Sequence, residues 1–355
     1  MKVPTRRPRS SATPVNQQRV LRPHAIDVRY LDVLALLEPM HHFKYLTIPW
    51  LHDLCRPTVE YSVFRKYLGY LRQAPNRYIR CPEQQNASPN VPYKTLVYEL
   101  AERGLALLRD RGLAPEPITP PPVPDKKTRR ARSFAQHRAH SYYHEVIVDL
   151  GYLAPLHHLV RRDPALRLVD FTGLRAHANV PSATRAARDP LLVTLKQRQM
   201  RFDGTPHVLV RTSHDGRQLA IGIPGIQVDR GTETFEDVAM HLRNAIEFID
   251  DRHHTRIWGF DNALIPFLFT SATRKARAME LVAREKGPCP FLLFKTIPDI
   301  GLLPHFPKPA HYDPQRTLAD DEPRPPADIH VFTTPWQRVG YLDFHLATFT
   351  EVRQP

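Results

Sequence analysis

One stretch governs what this chain can fold into: residues 113–133, LAPEPITPPPVPDKKTRRARS. Pro115, Pro117, Pro120, Pro121, Pro122 and Pro124 remove backbone donors and hold φ near the polyproline value, so neither a helix nor a central strand can run through them. The stretch predicts a stiff, extended spacer with a basic end, and therefore two folding units, 25–112 and 134–300. A basic tail, 1–24, precedes them. An extension, 301–355, follows and opens with a second proline-rich run (Pro304, Pro307, Pro309, Pro314, Pro323, Pro325, Pro326). The chain has 355 residues and 42% hydrophobic side chains, enough for a buried core in each unit.

In the first unit, Ile26, Tyr30, Val33, Leu34 and Leu37 recur at helical spacing, with Pro39 just past the last turn. Thr47 is placed to cap a short second helix with Pro49 in its first turn and Trp50, Leu51 and Leu54 as its apolar side. Thr58 is placed to cap a third helix over 59–72, where Val63, Phe64, Tyr67, Leu68 and Leu71 form the stripe and Arg65, Lys66 and Arg72 project elsewhere. Tyr70 fits either core or surface. Two short strands follow, 77–81 and 94–98, joined by a polar loop, and then a helix, 101–109, ended by Gly112. Three helices, a hairpin and a closing helix form the layout of a winged helix-turn-helix, with the third helix in the major groove and the hairpin beside the backbone. Such domains also serve as protein–protein modules.

The second unit reads as a helix over 134–150, a strand Leu166–Phe171, a basic loop over 172–201, and a hairpin of Val208–Thr212 and Leu219–Val228 about the His214-Asp215-Gly216 turn. A helix over 236–251, a buried strand Ala263–Thr270, a helix Thr273–Lys286 and a strand Phe291–Thr296 complete it. The expected fold class is α/β (α+β): a winged helix followed by a restriction-endonuclease-like domain around a mixed sheet. The segment Ile329–Val352 is expected to add an edge strand or dock on this unit.

The positive charge is unevenly spread. Lys and Arg number 50 against 36 Asp and Glu, a formal charge of +14. Residues 1–26, 125–138 and 172–201 each carry six basic side chains and together only two acids, Asp125 and Asp189, so the rest of the chain is close to neutral. Basic groups concentrated in segments outside the cores can follow a phosphate backbone and release counterions, which favours double-stranded DNA as partner; solubilising tails are the plain alternative. Arg65, Lys66, Arg72 and Arg80, with Lys126, Lys127, Arg129 and Arg130 of the spacer, are the candidate DNA contacts. No stretch approaches a transmembrane span, no basic amphipathic helix points to a membrane surface, and the N-terminus lacks an apolar leader region. Cys55, Cys81 and Cys289 are too few and too scattered for a disulfide framework. A cytoplasmic protein is the expectation.

Candidate chemistry centres on Phe202-Asp203-Gly204 and Gln227-Val228-Asp229-Arg230-Gly231-Thr232-Glu233. Gln227 and Asp229, two apart on a strand, share a face and with Asp203 could hold Mg²⁺ through oxygen ligands for phosphodiester hydrolysis. The set is chemically thin: Gln227 is neutral, and no lysine follows an acid by two residues to activate water. The competing reading makes Asp229–Thr232 a polar turn into a helix and gives Asp203 the task of satisfying backbone donors. His140 and His144 lie i, i+4 on one helix without a metal-ligand motif.

The order of features resembles the plasmid replication-relaxation family of bacterial mobile elements, a winged helix followed by a restriction-endonuclease-like domain. The resemblance covers about 25–300 and is carried by Tyr30–Leu37 with Phe43–Leu54, His144-Glu145-Val146, Phe202-Asp203-Gly204, Val228-Asp229-Arg230-Gly231-Thr232-Glu233, Phe267-Leu268-Phe269-Thr270 and Phe291–Thr296. Phe202 stands where the family usually has proline and Gln227 where it tends to have glutamate; the family's usual lysine on the next helix is not evident near His241. The resemblance implies a DNA-binding protein of a plasmid or mobile element, acting in replication, mobilisation or DNA relaxation, with relaxase or replication proteins as further partners. It implies no defined reaction, and the departures at Phe202 and Gln227 with the thin ligand set lead to the expectation of a non-catalytic nuclease-like domain. A metal-dependent nickase using Asp203 and Asp229, and a protein-interaction scaffold, are the alternatives.

Overall fold

The computed structural model describes residues 33–55, 60–74, 76–82, 97–113, 142–169, 192–195, 199–297, 331–332 and 334–352. The chain is a mixed α/β protein with several small sheets, divided into two compact units; the first contains the described residues 33–113 and the second those of 142–352. The tail, the spacer beyond Leu113 with Lys126, Lys127, Arg129 and Arg130, residues 172–191 of the basic loop and the proline-rich run of 301–327 lie outside the described residues.

The first unit runs α1 (Val33–His42), β1 (Leu46–Thr47), α2 (Ile48–Cys55), α3 (Tyr61–Arg72), β2 (Ile79–Arg80), β3 (Val97–Leu100) and α4 (Glu102–Asp110). Pro39 does not follow α1 but sits inside it. Proline deprives the helix of one backbone bond, yet burial of Leu36, Leu37 and Met40 on the same helix carries it a turn further, and Phe43 N donates to Pro39 O at 3.2 Å. Thr47 is likewise not a helix cap. It pairs with Val97 in the antiparallel sheet β1-β3-β2, and its buried hydroxyl has no hydrogen-bond partner among the described residues. Thr58 lies outside the described residues; Glu60 precedes α3 and caps nothing with its side chain. Phe64, Tyr67, Leu68 and Leu71 of α3 are buried as their spacing predicts, and Asn76, itself buried, donates to Tyr70 O at 2.8 Å to fix the helix end. Gly104 lets α4 lie against Tyr78 O, where a Cβ would collide.

The second unit opens with helical residues 142–148 (α5). They continue through a π turn, Asp149–Leu153, into α6 (Ala154–Arg162), well beyond the predicted end at 150. Pro155 explains the π turn. Its ring cannot donate to the preceding turn, and the wider i→i+5 bond, Ala154 N to Asp149 O, lets the helix pass it. Three small sheets follow. β4 (Leu166–Val169), β7 (His207–Thr212) and β8 (Gln218–Ile223) form an antiparallel sheet, and β5 (Leu192–Thr194) with β6 (Gln199–Arg201) forms a hairpin inside the predicted basic loop. The third sheet, ordered β12-β11-β10-β9, has β9 (Gln227–Asp229), β10 (Ile265–Phe269) and β11 (Cys289–Thr296) parallel, with β12 (Gln337–Val339) antiparallel at the edge. A small pair, β13 (Asp343–His345) and β14 (Thr350–Val352), ends the described chain.

The predicted strand Leu219–Val228 is thus two strands in different sheets. Pro224-Gly225 breaks it: proline supplies no ladder donor, and Gly225 lies so close under the Phe202 ring that any Cβ would strike it. Helices α7 (Phe235–Asp250) and α9 (Ala272–Glu285) cover one face of the parallel strands, joined by the short α8 (His253–Trp258) and β10. Leu242, Ala245, Phe248, Leu281 and Val282 pack there on Phe267, Phe269, Leu292 and Phe294, together with Met200 and Phe202. On the other face Lys295 lies over the buried Trp336, which in turn meets Tyr152. No helix among the described residues is long and apolar enough to cross a membrane.

Candidate functional site

The second unit's candidate site sits at the carboxyl ends of parallel β9 and β10, where open α/β sheets bind ligands. Once the chain turns at Pro224-Gly225, Ile226 lies beside Asp203-Gly204: Asp203 N and Gly204 N both donate to Ile226 O, at 2.8 and 3.3 Å. That brings Asp203 to the start of β9. Its Oδ2 accepts from Val228 N at 2.8 Å, and its Oδ1 faces His144 Nδ1 of α5 at 3.4 Å.

Gln227 is buried and donates its side-chain amide to Arg201 O at 2.8 Å. Asp229 ends the strand, with its carbonyl accepting from Thr270 N at 3.0 Å. Its carboxylate, 6% exposed, receives Arg274 Nε at 2.6 Å and Arg274 Nη2 at 3.0 Å, a two-pronged ion pair. Gly231 N adds a third donor at 2.8 Å, in a turn that needs φ of 75° and hence glycine. Arg274 reaches on to Glu233 O at 3.1 Å. The Thr234–Asp237 capping box then starts α7. Nearby, Glu233 lies 3.7 Å from His241; burial holds its carboxyl above the usual range, against the pull of His241 and His144. Arg230 stacks on Tyr143, 4.4 Å from the ring centre.

The geometry therefore gives each carboxylate a local task. Asp203 satisfies the backbone at the start of β9, and Asp229 ties the strand end to α9. A divalent cation at Asp229 would have to displace Arg274, a cation already seated on both oxygens. Among the described residues no group of three or more His, Cys, Asp or Glu side chains is arranged to hold a metal ion. As arranged, Asp203, Gln227 and Asp229 do not fit Mg²⁺. Arg274, the residue that decides this, is 45 positions from Asp229, and no local pattern announces it. His144 is visible in sequence as the i+4 partner of His140 and as part of the resemblance, but neither pointed to Asp203.

The first unit carries the other candidate surface. On α3, Arg65, Lys66 and Arg72 are exposed outside the buried stripe, and the helix contains no Asp or Glu. Arg72 Nη1 lies 3.4 Å from Cys81 Sγ, which links the helix end to the strand pair. Arg80 on β2 is 59% exposed, but its Nε already bonds Glu99 Oε1 at 2.7 Å. Tyr70, left open by the sequence, is on the surface at 43% exposure.

No protein-family model matches the chain, and neither a curated protein nor a solved structure matches it.

Proposed function

We propose that the protein binds double-stranded DNA through its first unit, which we read as a winged helix-turn-helix. One observation carries the reading: α3 buries one face completely and turns Arg65, Lys66 and Arg72 outward with no acid among them. It stands in the order helix–strand–helix–helix–strand–strand–helix, with the antiparallel β2–β3 pair after it. A helix with one packed side and one cationic side is what major-groove docking requires. Arg80 contributes less than the three helix residues, because Glu99 already meets its charge. Lys126, Lys127, Arg129 and Arg130 add sequence-independent attraction to phosphates.

The second unit, read as a restriction-endonuclease-like domain, has a structural use for both of its carboxylates, which supports a non-catalytic role. A place in replication, mobilisation or relaxation of a plasmid or mobile element follows from the resemblance above. Binding of a duplex should be measured against salt for wild type and Arg65→Ala/Lys66→Ala. The double change should weaken binding and flatten the log–log slope by up to about two units. A wild-type chain that ignores duplex DNA in dilute buffer would refute the proposal and leave the interaction scaffold in its place.

A further inference from the structure

The exposure of Tyr70 completes a pattern on α3. At 3.6 residues per turn the buried Phe64, Tyr67, Leu68 and Leu71 form one stripe. Opposite them runs a ridge of Ser62, Lys66 and Gly69, at i, i+4 and i+7. Arg65 and Arg72, seven apart and both exposed, make one flank of that ridge; Tyr70 stands on the other. Gly69 is the anomaly. Glycine is a poor helix former, yet here it lies inside a 12-residue helix with a negative φ, and a Cβ would meet nothing within 4 Å. Packing among the described residues gives no reason for it. Close approach by an outside surface does, because a missing side chain leaves a notch in the ridge.

We propose that α3 divides recognition of duplex DNA between its sides. Arg65 and Arg72 hold phosphates of one strand, and the ridge Ser62–Lys66–Gly69 reads base edges in the major groove. The notch at Gly69 brings a base edge against the helix, and Tyr70 closes the notch on its far side. The inference rests on the DNA-binding reading above. The occupant is argued from charge: a face with three cations and no acid suits a polyanion. The division follows from geometry, since contacts to phosphate position a protein while contacts to base edges specify sequence. Lys66, at the centre of the ridge, suits guanine O6 and N7.

The full chain should first be used to enrich binders from a randomised duplex pool. Affinities for an enriched duplex and its scrambled version, at one salt concentration, then give a specificity ratio. Gly69→Leu, which fills the notch with a good helix former, should lower that ratio about tenfold or more, through lost affinity for the enriched duplex. Gly69→Ala should do the same more mildly, and guards against misfolding of the bulkier variant. Lys66→Ala should lower the ratio and relax the preference for guanine at one position. Arg72→Ala should weaken both duplexes equally and reduce the slope by about one unit. A pool that shows no enrichment, or a folded Gly69→Leu variant with the wild-type ratio, overturns the division while DNA binding itself stands. A wild-type chain that binds neither duplex removes both.

Discussion

Arg274→Ala is the perturbation that best separates a structural clamp from a catalytic site. The wild-type pair joins a carboxylate with 6% of its side-chain surface exposed to a guanidinium with 23% exposed. Removing the guanidinium deletes bonds of 2.6 and 3.0 Å to Asp229 and one of 3.1 Å to Glu233 O. Gly231 N is then the carboxylate's remaining donor among the described residues. Stranding a buried charge in this way costs roughly 3–5 kcal/mol, and the partial exposure of Arg274 favours the lower end, about 3 kcal/mol. Asp229→Asn keeps an acceptor for Gly231 and strands only the more exposed partner, so about 1–2 kcal/mol is expected. Asp229→Asn with Arg274→Met should recover most of the loss, giving a positive coupling in the double-mutant cycle. Urea unfolding followed by fluorescence reads this directly. Trp258 and Trp336 report the second unit, and Trp50→Phe silences the first. An Arg274→Ala variant within about 0.5 kcal/mol of its parent would refute the clamp. If such a variant accompanied Mg²⁺- or Mn²⁺-dependent nicking of supercoiled plasmid that Asp229→Asn abolished, the nickase reading would replace ours.

Two further outcomes are expected in the second unit. Lys295 Nζ donates to Thr334 O at 2.6 Å and to Val331 O and Pro335 O at 3.4 Å, so Lys295→Met should free the segment 331–336, cost about 1–3 kcal/mol, and show as faster amide exchange there. Burial, helped by the Lys275 charge and opposed by Asp343, pushes the Lys295 ammonium down to about 7. The unfolded chain keeps that proton up to the ordinary lysine range. Stability should therefore rise with pH from about 7 toward the ordinary value in wild type and lose this component in Lys295→Met, which pH-dependent urea midpoints would show. Gly225→Ala must displace the Phe202 ring; it should lose about 1–3 kcal/mol and expose the joint between β8 and β9 to proteolysis, and an unchanged midpoint would contradict the close contact.

Periodicity made α3 legible, because one strong apolar stripe at helical spacing admits few alternatives. Pro39 marks the end of α1 in the sequence, yet it cancels only one backbone bond, and buried neighbours on both sides outweigh that loss; the helix expected over 134–150 likewise runs on past its expected end and through Pro155. The break in Leu219–Val228 is the reverse case. Its apolar residues run on without interruption, so hydropathy hides a change of sheet that the Pro224-Gly225 pair does announce. Arg274 had no such herald: its position in the fold, rather than any spacing, brings it to Asp229.

Gln227 shows why strand parity alone could not decide the chemistry of the site. Parity places Gln227 and Asp229 on one side of β9, but what each side chain does there depends on which partner it meets. At 227 the partner is the Arg201 carbonyl, an acceptor, so the buried side chain must donate. Glutamine donates; an ionised glutamate would set one oxygen against another with no water to separate them. At 229 the partners are a guanidinium and an amide N–H, all donors, so the side chain must accept. Glutamine at 227 and aspartate at 229 thus answer the same demand. Each buried polar group takes the form its protein neighbour requires, and neither is left over for a metal.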